Sequence, residues 1–449
     1  MQRADIVGLA ENVVGPVLLA GDRGYPAECA TFNLLTPVRP AVAVGATSVT
    51  DVQAAVRFAA ERSLPLAVLT TGHQVARPAD GAVLVNMSRL NRVRIDAAQR
   101  LARVEGGALG GEMVDAAGRY GLAPITGASA TVGVVGFTLG GGHSPVLGRT
   151  YGYAADHVQA VELVTADGKL RRVTAVEEPD LFWALRGGKG NFGVITALEL
   201  SLFPVSRFYG GGLFFSGEHA RTVLHAWREW VTGLPREMTS SIAFLRRPGQ
   251  PFTLHVRFSS LGPREEAERT LAPIRRLAPL VGDTIDELPY ASAATLHLDP
   301  AQPVPMTEGA TALRVFPREA ADTLLTAVGP ESDTRLGFLE LRAFGGVLEQ
   351  PPAVANAVAG RTARWAVIAA GGGAPGLSPL FRKELTALAE SLAPWAQDEM
   401  NVNLLATRGV TLQQVRAAYG QHRYDRLASI KQQYDPHNLF RMNHNIAPA

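Results

Sequence analysis

Thr126–Pro145 reads TGASATVGVVGFTLGGGHSP: six glycines and two serines, with no lysine, arginine, aspartate or glutamate. Glycine adopts positive φ without strain and lets backbone N–H groups approach a ligand closely, so the stretch suits a phosphate or a large flat cofactor. Two familiar phosphate loops fail here. A Walker loop closes on Gly-Lys-Ser/Thr, whereas Gly142 is followed by His143-Ser144. A dinucleotide turn needs three glycines at set offsets between strand and helix, and Gly133, Gly136 and Gly140-Gly141-Gly142 do not fall there. The loop is either another kind of cradle or a plain joint between strand and helix.

Outward from this loop the chain alternates short strands and helices from Val42 to about Pro204. ATSVTDVQAAVRFAAERS predicts a helix capped by Thr50, with Val52, Ala55, Val56 and Ala59 on one face. LPLAVLT, AVLVN, RVRID and LARVEGG predict strands, and GGEMVDAAGRYGL a helix ended at Gly121. VQAVELVTADGKLRRVT predicts a hairpin turning at Asp167-Gly168. EEPDLFWALRGGKGNFGVITALEL predicts a short helix, a second glycine turn and a strand from Val194. After Pro204 the helices and strands form a second α+β unit, ending near Asn401. The last segment is helical and then rich in His and Asn.

Composition sets bounds on function. The chain has 449 residues, a net charge of +2 and no basic run, so nucleic acid is excluded as an expected partner. One cysteine, Cys29, rules out an intrachain disulfide and a multi-cysteine metal cage. His143, His437 and His444 lack metal-ligand spacing, and GASAT lacks the second glycine of a nucleophile elbow. Asp5 and Glu11 precede any long apolar run, and no run reaches membrane-spanning length. The expectation is a cytoplasmic enzyme without metal or membrane.

Four segments together resemble the FAD-linked oxidases of the vanillyl-alcohol-oxidase type, in their berberine-bridge-enzyme-like branch. They are AVLTTGHQVARPADGAVLVNMSRL, VGVVGFTLGGGHSPVLGRTYGYAADHV, EEPDLFWALRGGKGNFGVITALEL and the C-terminal YDRLASIKQQYDPHNLFRMNHNI. The resemblance implies a two-domain α+β flavoprotein. Residues 1–204 would form a PCMH-type FAD domain, 205–400 a substrate domain with an antiparallel sheet, and 401–449 a return to the FAD domain. It implies FAD held by Thr70, Thr71, Gly72, His73, Gln74 and Val75, and by Ser129, Thr131, Val132, Gly133, Gly136 and Phe137. Gly140, Gly141, Gly142, Val194, Ile195, Asn443 and Asn445 complete the implied cofactor set. His73 matches the histidine that carries the flavin covalently in the family, a linkage that tunes the flavin and fixes its ring.

The departures from the family pattern are informative. Ser129 stands where many relatives carry a second, cysteine anchor, so a single attachment through His73 is implied. Val132 falls where relatives vary the side chain that admits oxygen to the flavin, and it reads either as an open gate or as plain packing. Phe137 replaces a histidine, and Asn401 and Leu404 replace aromatics, so the catalytic base is not inherited. In FLELRAFGG a period of two puts Glu340 and Arg342 on one face of a strand, as a base with its positioning guanidinium or as a salt bridge. Tyr153 and Tyr290 are further candidates. The expected reaction is hydride transfer from an alcohol, amine or benzylic carbon of a small molecule to FAD, with O₂ as acceptor. The alternative is a cyclase or ligand-binding relative in which FAD is structural.

Overall fold

The computed structural model describes residues 1–449. Its first sheet comprises β1 (Val17–Leu18), β2 (Val42–Gly45), β3 (Leu66–Leu69) and β4 (Val83–Asn86), in the order β1-β2-β4-β3. β2, β3 and β4 run parallel, and β2 and β4 are buried along their length, which explains their unbroken apolar runs. The helix Val49–Glu61 covers this sheet, with Val52, Ala55, Val56 and Ala59 sharing a core with Val42, Val44, Val83 and Val85. Its cap is Ser48 rather than Thr50: Ser48 Oγ accepts from Asp51 N at 3.2 Å. Asp51 in turn accepts from the backbone of Val14 and Thr47, which pins the helix start one turn earlier than its apolar stripe indicates.

A second, antiparallel sheet follows: β5 (Val93–Asp96), β6 (Leu101–Glu105), β7 (Val158–Val164), β8 (Leu170–Val173) and β9 (Val194–Ser201), ordered β5-β6-β9-β7-β8. The expected hairpin joins β7 to β8, with Gly168 at φ +73°. The C-terminal helices Leu412–Tyr419 and Gln421–Tyr434 share this sheet's core, where Val415, Tyr419 and Leu427 join Val104, Val161 and Leu198. A fully buried ion pair locks them there. Lys431 Nζ lies 2.6 Å from Asp435 Oδ2 and donates to Asn191 O, while Asp435 accepts from Leu439 N and Phe440 N. Those bonds satisfy the buried charges and hold the chain end against the GGKGN turn.

The third sheet is the largest. β10 (Arg207–Ser216), β11 (Met238–Leu245), β12 (Thr253–Ser260), β13 (Leu280–Asp283), β14 (Asp286–Pro289), β15 (Met306–Leu313), β16 (Phe338–Ala343) and β17 (Trp365–Gly372) pair antiparallel, ordered β13-β10-β12-β11-β16-β17-β15, with β14 also on β10. One face is apolar: Leu213, Ile242, Val256, Leu341 and Val367 pack with residues of four helices, among them Leu224, Trp227, Leu324 and Phe381. Each fully buried side chain of that kind stabilises the sheet by about 1.5–3 kcal/mol. The opposite face is polar. Register puts Arg257, Ser241 and Arg342 in one cross-strand row, and His255, Ala243 and Glu340 in the next.

Candidate active site

The glycine loop and the Gly-His turn meet because small residues let them. A Cβ on Gly133 would come 3.1 Å from Thr70 Cγ2, and one on Gly72, at φ +69°, would come 2.7 Å from Thr31. That close approach lays Phe32 on the His73 imidazole, ring centroids 3.7 Å apart and nearly parallel. His73 Nε2 is 3.0 Å from Thr131 Oγ1, which lies 2.9 Å from Ser129 Oγ. Nδ1 makes no hydrogen bond. Burial lowers the His73 pKa to about 4, so the imidazole is neutral and nucleophilic at physiological pH.

Gly140, Gly141 and Gly142 are packed from the far side. A Cβ on Gly140 would overlap the Asn403 amide, and one on Gly141, at φ +122°, the Asn401 amide. Phe137 wedges between Gly127 and Gly142, each of which would clash with its ring if it carried a side chain. Gln74 donates to Leu405 O at 2.8 Å and accepts from Lys189 Nζ. Lys189 has no carboxylate partner, and burial alone lowers its pKa to about 8. Nearby, Asn401 Nδ2, Asn443 Oδ1 and Asn445 Oδ1 are buried without hydrogen-bond partners. A cradle of bare backbone, an uncompensated ammonium and unpaired amides fit a cofactor that brings phosphates and a heteroaromatic ring. Val194 and Ile195 depart from expectation: their side chains point into the cores, so only their backbone can serve a ligand. Val75 packs against a neighbouring apolar cluster, Thr71 O accepts from Phe32 N at 2.8 Å, and Gly136 faces open space.

Immediately after the glycines, His143 reaches the polar face of the large sheet. There a cavity of about 20 Å³ is lined by His143, Arg257, His297, Glu340, Arg342 and Thr239, with Pro145, Leu296 and Ala343 among its other walls. Glu340 sits at the centre. Its Oε1 is 2.9 Å from Arg257 Nη1 and 3.0 Å from His297 Nε2, and its Oε2 is 2.8 Å from Arg342 Nη2. Although burial opposes charge, the two guanidiniums hold the Glu340 carboxyl well below the usual carboxylate range. The expected Glu340–Arg342 pair is therefore formed, in a cavity that His143 and Pro145 join to the glycine loop. Burial also keeps the histidines neutral, His143 at about 3 and His255 at about 2.

Tyr153 and Tyr290 do not join this cavity. Tyr153 is buried in an apolar cluster with Phe344, Leu348 and Val358, under the Arg361 guanidinium, and burial raises its phenol pKa. Tyr290 donates to Pro124 O at 2.6 Å, and burial raises its pKa to about 12. Packing, not proton transfer, accounts for both. Val132 lines a second, smaller cavity with Gly127, Ser129, Val134 and Phe137.

Residues 40–174 match a family model described as an FAD binding domain, and residues 399–447 one described as berberine and berberine like. The (R)-6-hydroxynicotine oxidase of Paenarthrobacter nicotinovorans is 29% identical over 97% of this chain and 97% of its own length. An uncharacterized FAD-linked oxidoreductase of Bacillus subtilis (strain 168) is 27% identical over 98% of this chain and 99% of its own. The crystal structure of 6-hydroxy-D-nicotine oxidase from Arthrobacter nicotinovorans superposes with a TM-score of 0.84 at 26% identity, covering 97% of this chain and 98% of that one. Chitooligosaccharide oxidase shares the fold, with a TM-score of 0.87 at 20% identity over 99% and 100% of the two chains.

This chain belongs to the berberine-bridge-like FAD-linked oxidases. FAD is its cofactor, and both matched segments carry parts of the cradle described above. In this oxidase the residues that sequence reading missed are those on the sheet. His255, Arg257 and Ser259 alternate with Leu254, Val256 and Phe258 along β12, so a polar face was visible in the period of two. His297, in a short loop, carries no such signal. His143 was visible beside the glycines, but only the fold brings it to Glu340. Lys189 stands in a glycine turn where its burial cannot be read from the sequence.

Proposed function

We propose that this flavoprotein oxidises a C–H carbon of a small molecule bound between the glycine cradle and the polar roof, with FAD attached by one covalent bond through His73. The observation that carries the reading is His73 itself: a neutral imidazole, stacked on Phe32 and held at Nε2 by Thr131, with Nδ1 open. A proton on Nε2 donated to Thr131 leaves the Nδ1 lone pair available for bond formation. Ser129 occupies the far side of Thr131 and offers no thiol, so the attachment is single. When bound, FAD would supply the hydride acceptor and the route of the electrons to O₂.

The remaining work falls to the chain. Lys189 offsets negative charge on the cofactor side, and the amides of Asn401 and Asn443 offer hydrogen bonds there. His143 presents unpartnered ring nitrogens to the cavity and so has a lone pair free to take the substrate proton, although burial depresses its proton affinity. Glu340 is reassigned. With both oxygens held by cations, it has no free oxygen to offer a proton and serves to anchor the two arginines. Val132, lining its own cavity beside the loop, leaves room for oxygen. The names of the relatives, oxidases of small molecules, support the use of O₂.

The test is direct. Purified protein is precipitated with acid, and the flavin absorbance of pellet and supernatant is compared. Colour in the pellet, followed by anaerobic bleaching of native enzyme with a panel of alcohols, amines and acids, is the expected result. Flavin found wholly in the supernatant removes the covalent link, and a flavin that no class of donor bleaches removes the oxidase reading.

A further inference from the structure

The roof cavity holds more positive charge than its own carboxylate balances. Arg257 and Glu340 are almost completely buried, at 3% and 1% exposure, and Arg342 at 21% closes the same cluster. Two guanidiniums therefore share one carboxylate. The histidines do not add to this surplus, because His143, His255 and His297 are kept neutral by burial and by the neighbouring arginines. The one other acidic group that acts on both arginines and on His73, Asp299, is exposed, where water screens it.

The hydrogen-bond inventory leans the same way. Arg257 Nε and Arg342 Nε are buried donors without acceptors, and both ring nitrogens of His143 and the Thr239 hydroxyl are also unpartnered. A guanidinium has donors only, and an ionised carboxylate has acceptors only. What this cavity lacks is an acceptor with one negative charge. An ammonium would be repelled by the arginines. A neutral sugar would supply hydroxyls but leave the surplus charge unmet, and a dianion would overshoot it beside Glu340. The free space among these groups is about 20 Å³, room for about one water-sized group such as a carboxylate oxygen, so the body of a ligand would lie outside it.

We propose that the roof cavity is a carboxylate site and that the substrate is a small organic monoacid, docked through its carboxylate on Arg342 and Arg257. The assignment rests on the oxidase reading for its chemistry, but the binding site stands on the sheet alone. A carboxylate docked here also raises the proton affinity of His143 beside it, which suits that residue to take the substrate proton.

The probes are benzoate and its neutral counterpart benzamide, titrated into the purified holoenzyme by calorimetry. Benzoate is expected to bind at least tenfold more tightly. Arg342→Gln is expected to weaken benzoate by about 10- to 100-fold and leave benzamide unchanged, with Arg342→Lys recovering part of the loss. Glu340→Gln, which removes the competing carboxylate, is expected to tighten benzoate, an effect of opposite sign that general loosening of the fold would not give. Benzoate binding no better than benzamide overturns the proposal, and that comparison needs no variant. Equal effects of Arg342→Gln on both probes overturn it as well. Yellow protein indifferent to benzoate leaves the oxidase standing without the acid site. Protein that binds benzoate yet carries no flavin keeps the acid site and loses the oxidase.

Discussion

Replacing Glu340 with glutamine keeps the shape of the side chain and removes the only charge that holds Arg257 and Arg342 together. Both contacts are short, 2.9 and 2.8 Å, and Glu340 is shut from water. One pair of unit charges about 4 Å apart is worth ~4 kcal/mol at an effective dielectric of 20. Breaking a buried pair by removing one partner costs about 3–5 kcal/mol, because the other is left desolvated and alone. An exposed ion pair would cost about 0–1 kcal/mol. For 449 residues melting as one unit, an unfolding entropy of ~2.1 cal/mol/K per residue turns 3–5 kcal/mol into a fall of about 3–5 °C in Tm.

The assay is thermal unfolding of Glu340→Gln and parent, followed by circular dichroism from pH 7 downward. The sign with pH follows from the depressed folded pKa. Glu340 contributes fully above its unfolded value of about 4.3, and the contribution is lost as pH falls through the lower folded value. The gap between the two melting curves is therefore wide at pH 7 and closes in acid. Glu340→Gln with Arg342→Gln should lose less than the sum of the single changes, since the second removes the stranded cation. A Glu340→Gln protein melting within 1 °C of parent at pH 7 would refute the buried-cluster account.

His73→Ala should give protein whose flavin is released entirely on acid precipitation, and mass spectrometry of digested parent should find a flavin adduct on the His73 peptide alone. Val132→Leu should slow reoxidation of the reduced enzyme in aerated buffer by filling part of the cavity beside Phe137, while leaving anaerobic reduction unchanged. Lys189→Met should act with opposite signs on two measurements. In the His73→Ala background, where FAD binds reversibly, FAD affinity should weaken about tenfold as a charge-assisted contact is lost. The melting temperature of the flavin-free chain should hold or rise, because an unpaired buried ammonium has been removed.

Much of the cofactor side was legible in the residues because glycine and histidine in fixed order report a backbone conformation, and backbone conformation is local. The positive φ of Gly72, Gly141 and Gly142 is a property of each position and its neighbours. The polar face of β16 was legible too, since a strand's period of two needs no partner. β10 was not: three consecutive glycines interrupt the apolar pattern of RFYGGGLFFS. The reason lies elsewhere in the chain, where a Cβ on Gly212 would overlap the His255 ring and one on Gly211 would overlap Thr284 O. Those glycines answer to neighbouring strands rather than to a turn. Tertiary structure likewise decided that His143, Arg257 and His297 surround Glu340 and that Tyr153 lies apart, packed under Arg361. Charge balance in a buried site is a sum over residues distant in sequence, so composition and periodicity specify its members only one at a time. Their pairing, their desolvation and the surplus charge they leave exist only once three sheets have been brought together.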